Sequence, residues 1–544
     1  MKRVFENICC MILILFLLSA CTFQQDQQKL DDKTEPEKQM KLEDTGPVKG
    51  GTLNLQSFNP DTFNPLLTKS KSNAEILNLI FDSLVTYDKN MNIVPALAER
   101  WEVSADGMTW TFFLRKDVKW HDNSQFNAYD VDYTFKIITS NKYNSIYKFN
   151  TQHISYFGVV DEYTFKVVLN QPYGGFLDTV SFPIIAKHQF EGREPSGNDL
   201  NFKPIGTGPY QFVAYNPLKE IKLKANATWW KDSSPYIDNI IVKLLPDNET
   251  ALYSLEAKEI DLVPTDVVDW EKYSAKGNIE IKEYLTNYYE FIAVNFNNKV
   301  LSDNAVRKAI AYAIDRDKII DEALLGHGKK TDVPINPDSW LYDASSQIYS
   351  FDIKKAKEIL VQAGWKDSNN DGILDKEIEG VNLPLSFKLT TNQDNVIRDK
   401  VAQAIVNQLQ DVGMQVTLEK VSWDEINNML NSKNFDAILT GLNLFPNGDL
   451  SFAFHSSEIE RGTNFISYSS QQMDDLLSRA FKTVNADQRK QAYVLLQKQI
   501  VEDLPYISLY FRTSAILHSD RLRGDINPIG TNIYNNIHKW YLLQ

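Results

Sequence analysis

The chain of 544 residues carries three cysteines, and Cys9, Cys10 and Cys21 all fall in its first 21 positions. Their absence from the body excludes a disulfide scaffold there and argues against a soft-metal site. Long apolar runs are also missing. The stretch Ile8–Ala20 has 13 residues, short of the about 20 a helix needs to cross a bilayer. Basic charge is in deficit: 57 Lys and Arg against 71 Asp and Glu give a net charge of −14. A chain this acidic is a poor match for a phosphate backbone, so nucleic acid is not expected as a partner. The seven histidines are scattered, with no two at i, i+3 or i+4. There is no His-Glu-x-x-His, Walker loop, dinucleotide fingerprint or Gly-x-Ser-x-Gly elbow. No catalytic residue, metal ligand or cofactor site is therefore assigned. Carboxylates are plentiful, so counting alone leaves a glycosidase pair open.

Hydrophobic residues make up 43% and charged residues 24%, enough for a large core spread over more than one compact unit. At the N-terminus Lys2 and Arg3 precede the short apolar run, the pattern of a secretory signal. The run ends Leu18-Ser19-Ala20-Cys21, which resembles a bacterial lipobox. That resemblance implies a signal peptide over 1–20, cleavage before Cys21, and a diacylglyceryl thioether on Cys21. Two or more acyl chains give stable anchoring, so the protein is expected on the extracytoplasmic face of the cell membrane. Residues 21–47 are rich in Gln, Asp, Glu and Lys and poor in aromatics. They read as a lipidated flexible tether.

Hydrophobic periodicity predicts strands at Thr52–Gln56, Thr109–Leu114, Tyr163–Leu169, Tyr289–Asn295, Leu385–Thr390, Gln415–Lys420 and Ile507–Leu517. It predicts helices at Ala74–Leu84, Ala305–Ile320, Ile353–Ala363, Ile397–Val412, Gln472–Thr483 and Asp487–Glu502. The fold class is mixed α/β with several domains.

Four segments in order carry a resemblance. They are Ala96-Leu97-Ala98-Glu99-Arg100-Trp101-Glu102-Val103-Ser104 leading to Leu114-Arg115-Lys116-Asp117-Val118-Lys119-Trp120-His121-Asp122, then Gly206-Thr207-Gly208-Pro209-Tyr210, then Val306-Arg307-Lys308-Ala309-Ile310-Ala311-Tyr312-Ala313-Ile314-Asp315-Arg316, and finally Ala363-Gly364-Trp365. Together they resemble the extracellular solute-binding proteins of family 5, the oligopeptide, dipeptide and nickel binders of ABC importers. The resemblance implies a two-lobed, periplasmic-binding-protein-like fold with an extra domain inserted in the first lobe. Lobe I is placed at 48–88, 195–288 and 505–544, the inserted domain at 89–194 and lobe II at 289–504. It further implies a monomer that takes an oligopeptide between its lobes and hands it to a membrane permease and ATPase complex, without being an enzyme. A non-peptide solute (an oligosaccharide or metal chelate) and an exported lipoprotein hydrolase are the alternatives.

In the enteric peptide binders a Gly-Trp pair ends a lobe II strand, and an aspartate after it holds the ligand's ammonium. The matching segment here is Gly441-Leu442-Asn443-Leu444-Phe445-Pro446-Asn447-Gly448-Asp449. The acid's slot falls on Phe445 or Pro446, depending on the end from which it is counted, and Leu442 replaces the tryptophan. Basic residues of some members are Leu430 and Leu439 here. This side of the pocket is therefore expected to be apolar and neutral, suited to a peptide held through its backbone or to one without a free α-amine. Expected ligand contacts are Gly441 to Phe445, with Asn443 as an acceptor, together with Asp449, Trp423, Phe58, Asn59, Tyr289 and Asn295. The segment Asp367–Asp375 resembles the front of a calcium loop, but its twelfth position is Ile378, where a bidentate Glu is needed. It is read as a plain loop.

Overall fold

Strand Tyr506–Ser519 is buried at both ends and half-exposed only at Arg512, Thr513 and Ser514. Its antiparallel partner Ile279–Val294 is buried from Tyr289 onward. The computed structural model describes residue 44 and residues 46–543 apart from 196, 232 and 276. The predicted signal, Cys21 and the tether up to residue 43 lie outside the described residues. Contacts divide the chain after Asp44, and the architecture below is that of Thr45–Gln544.

The two strands are the centre of a mixed sheet. Its order is Leu262–Thr265, Tyr506–Ser519, Ile279–Val294, Ala437–Asn443, Ser386–Asn392, Gln415–Val421, with Gly328–Lys330 also pairing Tyr506–Ser519. The last three in that order run parallel, and helix Val396–Gln410 joins two of them. A second sheet runs Thr52–Ser57, Asn239–Leu244, Glu220–Ala225, Tyr210–Asn216. An antiparallel sheet of Ala98–Val103, Thr109–Leu114, Thr164–Leu169 and Ile154–Asp161 occupies the span expected for the insertion. Helix Ala128–Thr139 packs on it, capped by Asn127 and Asp130.

The apolar core comes in separate pieces. One cluster runs from Tyr289 to Phe511, with Phe291, Trp365 and Leu496 inside it. Another joins Leu53 and Val242 of the second sheet to Phe112 and Val167 of the insertion. The insertion therefore shares its core with the first lobe. A small third cluster holds Trp270, Ile279 and Leu517. The two long strands thus change core partway along their length. Each fully buried large apolar side chain contributes about 1.5–3 kcal/mol.

The segments that carried the resemblance hold this frame together. A Cβ on Gly206 would lie 1.8 Å from the Ile80 carbonyl oxygen, so only glycine lets these backbones meet. Gly208 N–H donates to that oxygen at 2.8 Å. Arg115 Nε donates to the Ala96 carbonyl at 2.9 Å, joining the two halves of the first signature. Arg307 donates to the carbonyls of Leu301, Ser302 and Asp503. Trp365 Nε1 donates to Asp303 at 3.1 Å.

Two helices differ from expectation. The predicted helix Ala305–Ile320 is two, Asn304–Ala313 and Arg316–Leu324. Ile314 is extended between them, and Asp315 caps the second by accepting from Lys318 N–H. The predicted helix at Ala74–Leu84 is Lys71–Leu77. Beyond it the chain tightens through Leu79 N–H to Ile76 and Ile80 N–H to Leu77, so the apolar residues stay buried without a continuous helix.

His121, from the first signature, lies across the Gly206 loop. Its Nε2 is 3.0 Å from the Gly208 carbonyl, and Gly206 N–H donates to Nδ1 at 3.3 Å. A carbonyl only accepts and an N–H only donates, so the ring is the neutral Nε2–H form. Burial pushes its pKa down to about 4. Between the unfolded value of about 6.5 and 4 the unfolded chain binds a proton that the folded one does not. Stability should therefore be full above pH 6.5 and fall as pH drops toward 4, by up to roughly 3 kcal/mol from this group. Urea unfolding across that range should show a shallower loss for His121→Gln than for the parent; equal slopes would refute the assignment.

Candidate functional site

Midway along the two long strands the ladder breaks. Leu285 pairs with Thr513 and Tyr289 with Phe511, so Thr286, Asn287 and Tyr288 together oppose Arg512 alone. A bulge of this kind bends the strand and re-aims its side chains. Thr286 Oγ1 donates to the Arg512 carbonyl at 2.7 Å and accepts from Tyr288 N–H at 3.1 Å. Asn336 braces the bulge by donating to Asn287 Oδ1 at 2.7 Å. The bulged residues and Arg512, Thr513 and Ser514 line a cleft of about 1450 Å³. Phe58, Glu75 and Asp82 line it from the first lobe, and Ile397, Asn443 and Phe445 from the second.

Beneath this floor is an ionic cluster. The carboxylate of Glu290, wholly buried, accepts Arg398 Nε and Nη2 at 3.1 Å each, and also accepts Arg512 Nη2. Arg398 Nη1 donates to Asn392 Oδ1 at 2.6 Å. The Arg512 guanidinium lies 4.9 Å from the centroid of the Tyr288 ring. Gly441 pairs with Glu290 in the ladder, and a Cβ there would come within 3.1 Å of Arg398 Nη2 and 2.8 Å of Tyr288. Glycine leaves the space through which the arginine reaches its partner.

The first-lobe wall is mixed in charge. Asp82 Oδ2 accepts from Trp230 Nε1 at 2.8 Å and from Thr207 Oγ1 at 3.1 Å. The Lys231 ammonium stands over the rings of Trp229 and Trp230 at 5.0 and 5.3 Å. Burial pushes its pKa down, and Asp82 opposes that shift. Burial likewise pushes Glu75 up, against the opposing pull of Lys71.

The residues expected from sequence divide into three groups. Phe58, Asn443 and Phe445 line the cleft. Gly441 and Leu442 flank it, Gly441 making room for Arg398 and Leu442 packing on the main core. Leu444 packs on the same core, and its N–H donates to the Asn287 carbonyl at 2.9 Å. The others are placed elsewhere. Tyr289 is fully buried, stacked on Phe291 and bonded to Ser508 Oγ at 2.6 Å, so it is a core residue. Asn295 is buried and donates to the carbonyls of Lys433 and Phe435, which makes it a loop brace. Asn59 accepts from the Tyr215 hydroxyl at 3.2 Å. Trp423 opens helix Trp423–Ser432, 45% exposed, with Arg398 5.9 Å from its ring centroid. Asp449 accepts from Ser451 N–H at 2.9 Å. In the loop Asp367–Asp375, Asp367 accepts from the N–H groups of Asp371 and Gly372, so the loop satisfies its own oxygens.

A charged floor was not foreseen from the sequence: Arg512, in the stretch 505–544, lines the cleft, while its partner Glu290 and Arg398 are enclosed beneath it. Glu290, Arg398 and Arg512 were missed because their partners lie 108 and 222 residues apart. A signal was present: Glu290 interrupts Tyr289 and Phe291, and Arg512 follows Phe511 in apolar strands. A lone charge in such a run implies a partner.

The insertion also reaches the second lobe. Tyr173 stacks on Phe481 at 4.3 Å, its hydroxyl accepts from Asn447 Nδ2 at 2.7 Å, and Gly174 N–H donates to the Phe481 carbonyl at 2.7 Å. Phe149 stacks on Phe445 at 5.9 Å.

Removing the buried carboxylate leaves two guanidinium groups facing each other. Glu290→Gln should destabilise the fold by about 3–5 kcal/mol, and Gly441→Ala by about 1–3 kcal/mol through crowding. Both are read as shifts in the urea midpoint at constant slope. A neutral Glu290→Gln would mean that the cluster does not hold the strands together.

The family model for bacterial extracellular solute-binding proteins, family 5 Middle, matches residues 92–459. The chain is 30% identical to the oligopeptide-binding protein AppA of Bacillus subtilis over 546 residues, covering 98% of this chain and 97% of that protein. The structure of that AppA in complex with a nonapeptide matches at a TM-score of 0.66, covering 92% of this chain and all of the other. NikZ of Campylobacter jejuni in complex with Ni(L-His) matches at a TM-score of 0.68 with 27% identity, covering 91% of this chain and 100% of that one. The signature segments, the two-lobed mixed α/β frame and these likenesses agree, and the chain belongs to the family 5 solute-binding proteins of ABC importers.

Proposed function

We propose that this protein captures oligopeptides between its lobes and delivers them to a membrane permease and its ATPase, binding the ligand without covalent change. The observation that carries the reading is the size and placement of the cleft. At about 1450 Å³ it exceeds the about 300–1,000 Å³ usual for small-molecule sites, and its floor is built from strands shared by both lobes. A relative of nearly the same length has been seen with a nonapeptide. The bulged backbone at Thr286–Tyr288 and the side chain of Asn443 supply hydrogen-bonding groups on the cleft wall, while Phe58 and Phe445 supply apolar ones. Closure of the lobes over the ligand presents the form that the permease reads. In this reading lobe I comprises 48–88, 195–288 and 505–544, the insertion 89–194 and lobe II 289–504.

The anchor belongs to the same proposal: signal cleavage after Ala20 and lipidation of Cys21 hold the protein at the outer face of the cell membrane. Cys21→Ala should appear in the medium or persist as an uncleaved precursor; a variant that remains lipidated would refute the anchor. For the ligand, native mass spectrometry of the purified protein with acid release should yield a ladder of oligopeptide masses. Recovery of only sugar or a metal chelate would overturn the peptide assignment, and the second outcome has a precedent in the nickel–histidine complex of the Campylobacter relative.

A further inference from the structure

Outside the cleft lining, one histidine stands between two acids. His327 Nε2 lies 3.0 Å from Glu271 Oε2, and its Nδ1 lies 3.4 Å from Glu283 Oε1. Neither glutamate has another ion pair among the described residues. One ligand atom from each of the three lies within 4.8 Å of the others. None of the three lines the cleft. Glu271 stands 56 residues from His327, so spacing in the sequence does not bring the set together.

The ring is fixed and the acids are free. The His327 side chain is 6% exposed and lies against the Trp270 ring at 4.0 Å. Its backbone N–H donates to the Leu324 carbonyl at 3.0 Å, and its carbonyl accepts from Thr513 N–H at 3.3 Å. Leu325 and Gly326 before it are left-handed, at φ 54° and 89°, which turns the chain from helix Arg316–Leu324 into strand Gly328–Lys330. The side chains of Glu271 and Glu283 are 61% and 42% exposed, so they can close on a shared partner that enters from solvent.

The charges do not balance with a neutral ring. A neutral imidazole has one N–H and one lone pair. It satisfies one carboxylate and turns its lone pair toward the other, with no proton between them. A cation at that point replaces the repulsion with bonds and offsets two negative charges. Zinc takes imidazole nitrogen and carboxylate oxygen at about 2.0–2.2 Å, so ligand atoms sharing one ion sit about 3–3.5 Å apart. The 3.0 Å between His327 Nε2 and Glu271 Oε2 already falls in that range. One imidazole and two carboxylates, without a thiolate, suit a borderline ion and not a soft one.

We infer that Glu271, Glu283 and His327 form a site for a divalent ion of the zinc type, with water in its remaining positions. Glu283 stands opposite Ala515 in the ladder, next to Ser514 of the cleft lining. In the division proposed above both glutamates belong to lobe I and the histidine to lobe II, so the bound ion ties the lobes together beside the two long strands. The site itself does not depend on the peptide reading; only its placement between lobes rests on that division.

Chelator-treated protein titrated with Zn2+ by calorimetry should bind an ion that the double variant Glu271→Gln, Glu283→Gln holds at least about tenfold more weakly. Both substitutions lie at the surface, so the variant should keep the parent's urea midpoint in the absence of metal. His327→Gln should lose the same ion; because it also removes a buried ring, the surface pair preserves the test if that variant folds poorly. Crystals soaked in Zn2+ should show an anomalous peak at the zinc edge between His327 and the two glutamates, absent from the double variant. Zinc found only elsewhere, as at the exposed pair His188 and Asp122, would overturn the site. So would crystals without zinc at His327 in which both ring nitrogens stay within hydrogen-bond distance of the acids, the mark of a second proton on the ring. Ca2+ binding there as tightly as Zn2+ would overturn the class of ion. Zinc at His327 in a protein that binds no peptide would support the site and overturn the peptide reading. Peptide binding without zinc at His327 would do the reverse.

Discussion

Pairing between Ile279–Val294 and Tyr506–Ser519 is the constraint on which the rest of the protein depends. The register runs from Ile279 opposite Ser519 to Ala293 opposite Tyr506, so both strands pass from one apolar core into another. A strand pair is stiff along its hydrogen bonds and weak where they are interrupted. The interruption at Thr286–Tyr288 coincides with the cleft floor. The backbone groups that leave the ladder there are taken up by neighbours: Asn336 donates to the Thr286 carbonyl, Leu444 N–H to the Asn287 carbonyl, and Tyr288 N–H to Thr286 Oγ1.

The Glu290 cluster follows from that arrangement. A bulge on a shared strand exposes its neighbours to a solvent-filled cleft, and something must keep the strands in register across the gap. Glu290 ties its own strand to Arg512 on the next strand and to Arg398 on helix Val396–Gln410. A buried ion pair is a poor source of stability beside apolar packing, yet it is directional, and loss of one member is severe. Its value here is positional: three elements converge on one carboxylate at the place where the ladder cannot hold them.

The frame was legible because its residues stand in segments that resemble a known family, even though their partners are distant: Gly206 meets Ile80, Arg307 reaches Asp503 and Trp365 reaches Asp303. The strand expected at Tyr289–Asn295 was found from its apolar run, but its first half, with Lys282, Glu283 and Asn287, reads as polar because it borders solvent and the cleft. The helix expected over Ala305–Ile320 breaks at a capping aspartate that periodicity alone does not weigh against apolar spacing. The site was less legible. Tyr289 lies on the floor strand and Asn295 just past its end, but the first points into packing and the second into loop support. Facing is set by a bulge that alternation cannot foresee, and charge on the floor is set by partners brought together only by folding.

Where the body can part is fixed by how its pieces are joined. The insertion and the first lobe share one continuous apolar core, with Phe112 and Val167 in the same cluster as Leu53 and Val242. Separating them would expose that core. The insertion meets the second lobe differently: through stacked pairs at Tyr173 and Phe481 and at Phe149 and Phe445, hydrogen bonds from Asn447 to Tyr173 and from Gly174 N–H to the Phe481 carbonyl, and Arg489 standing 3.9 Å from Asp178. Burial pushes the Asp178 carboxyl up, while Arg489 and the Tyr87 hydroxyl oppose that shift. A contact of few rings and imperfectly paired charges gives way at far lower cost than a shared core. The insertion is thus joined to the first lobe by a shared core and to the second by a few rings and hydrogen bonds, with Phe481 and Val484 packed on the edge of that core, so parting it from the second lobe would expose less apolar surface than parting it from the first.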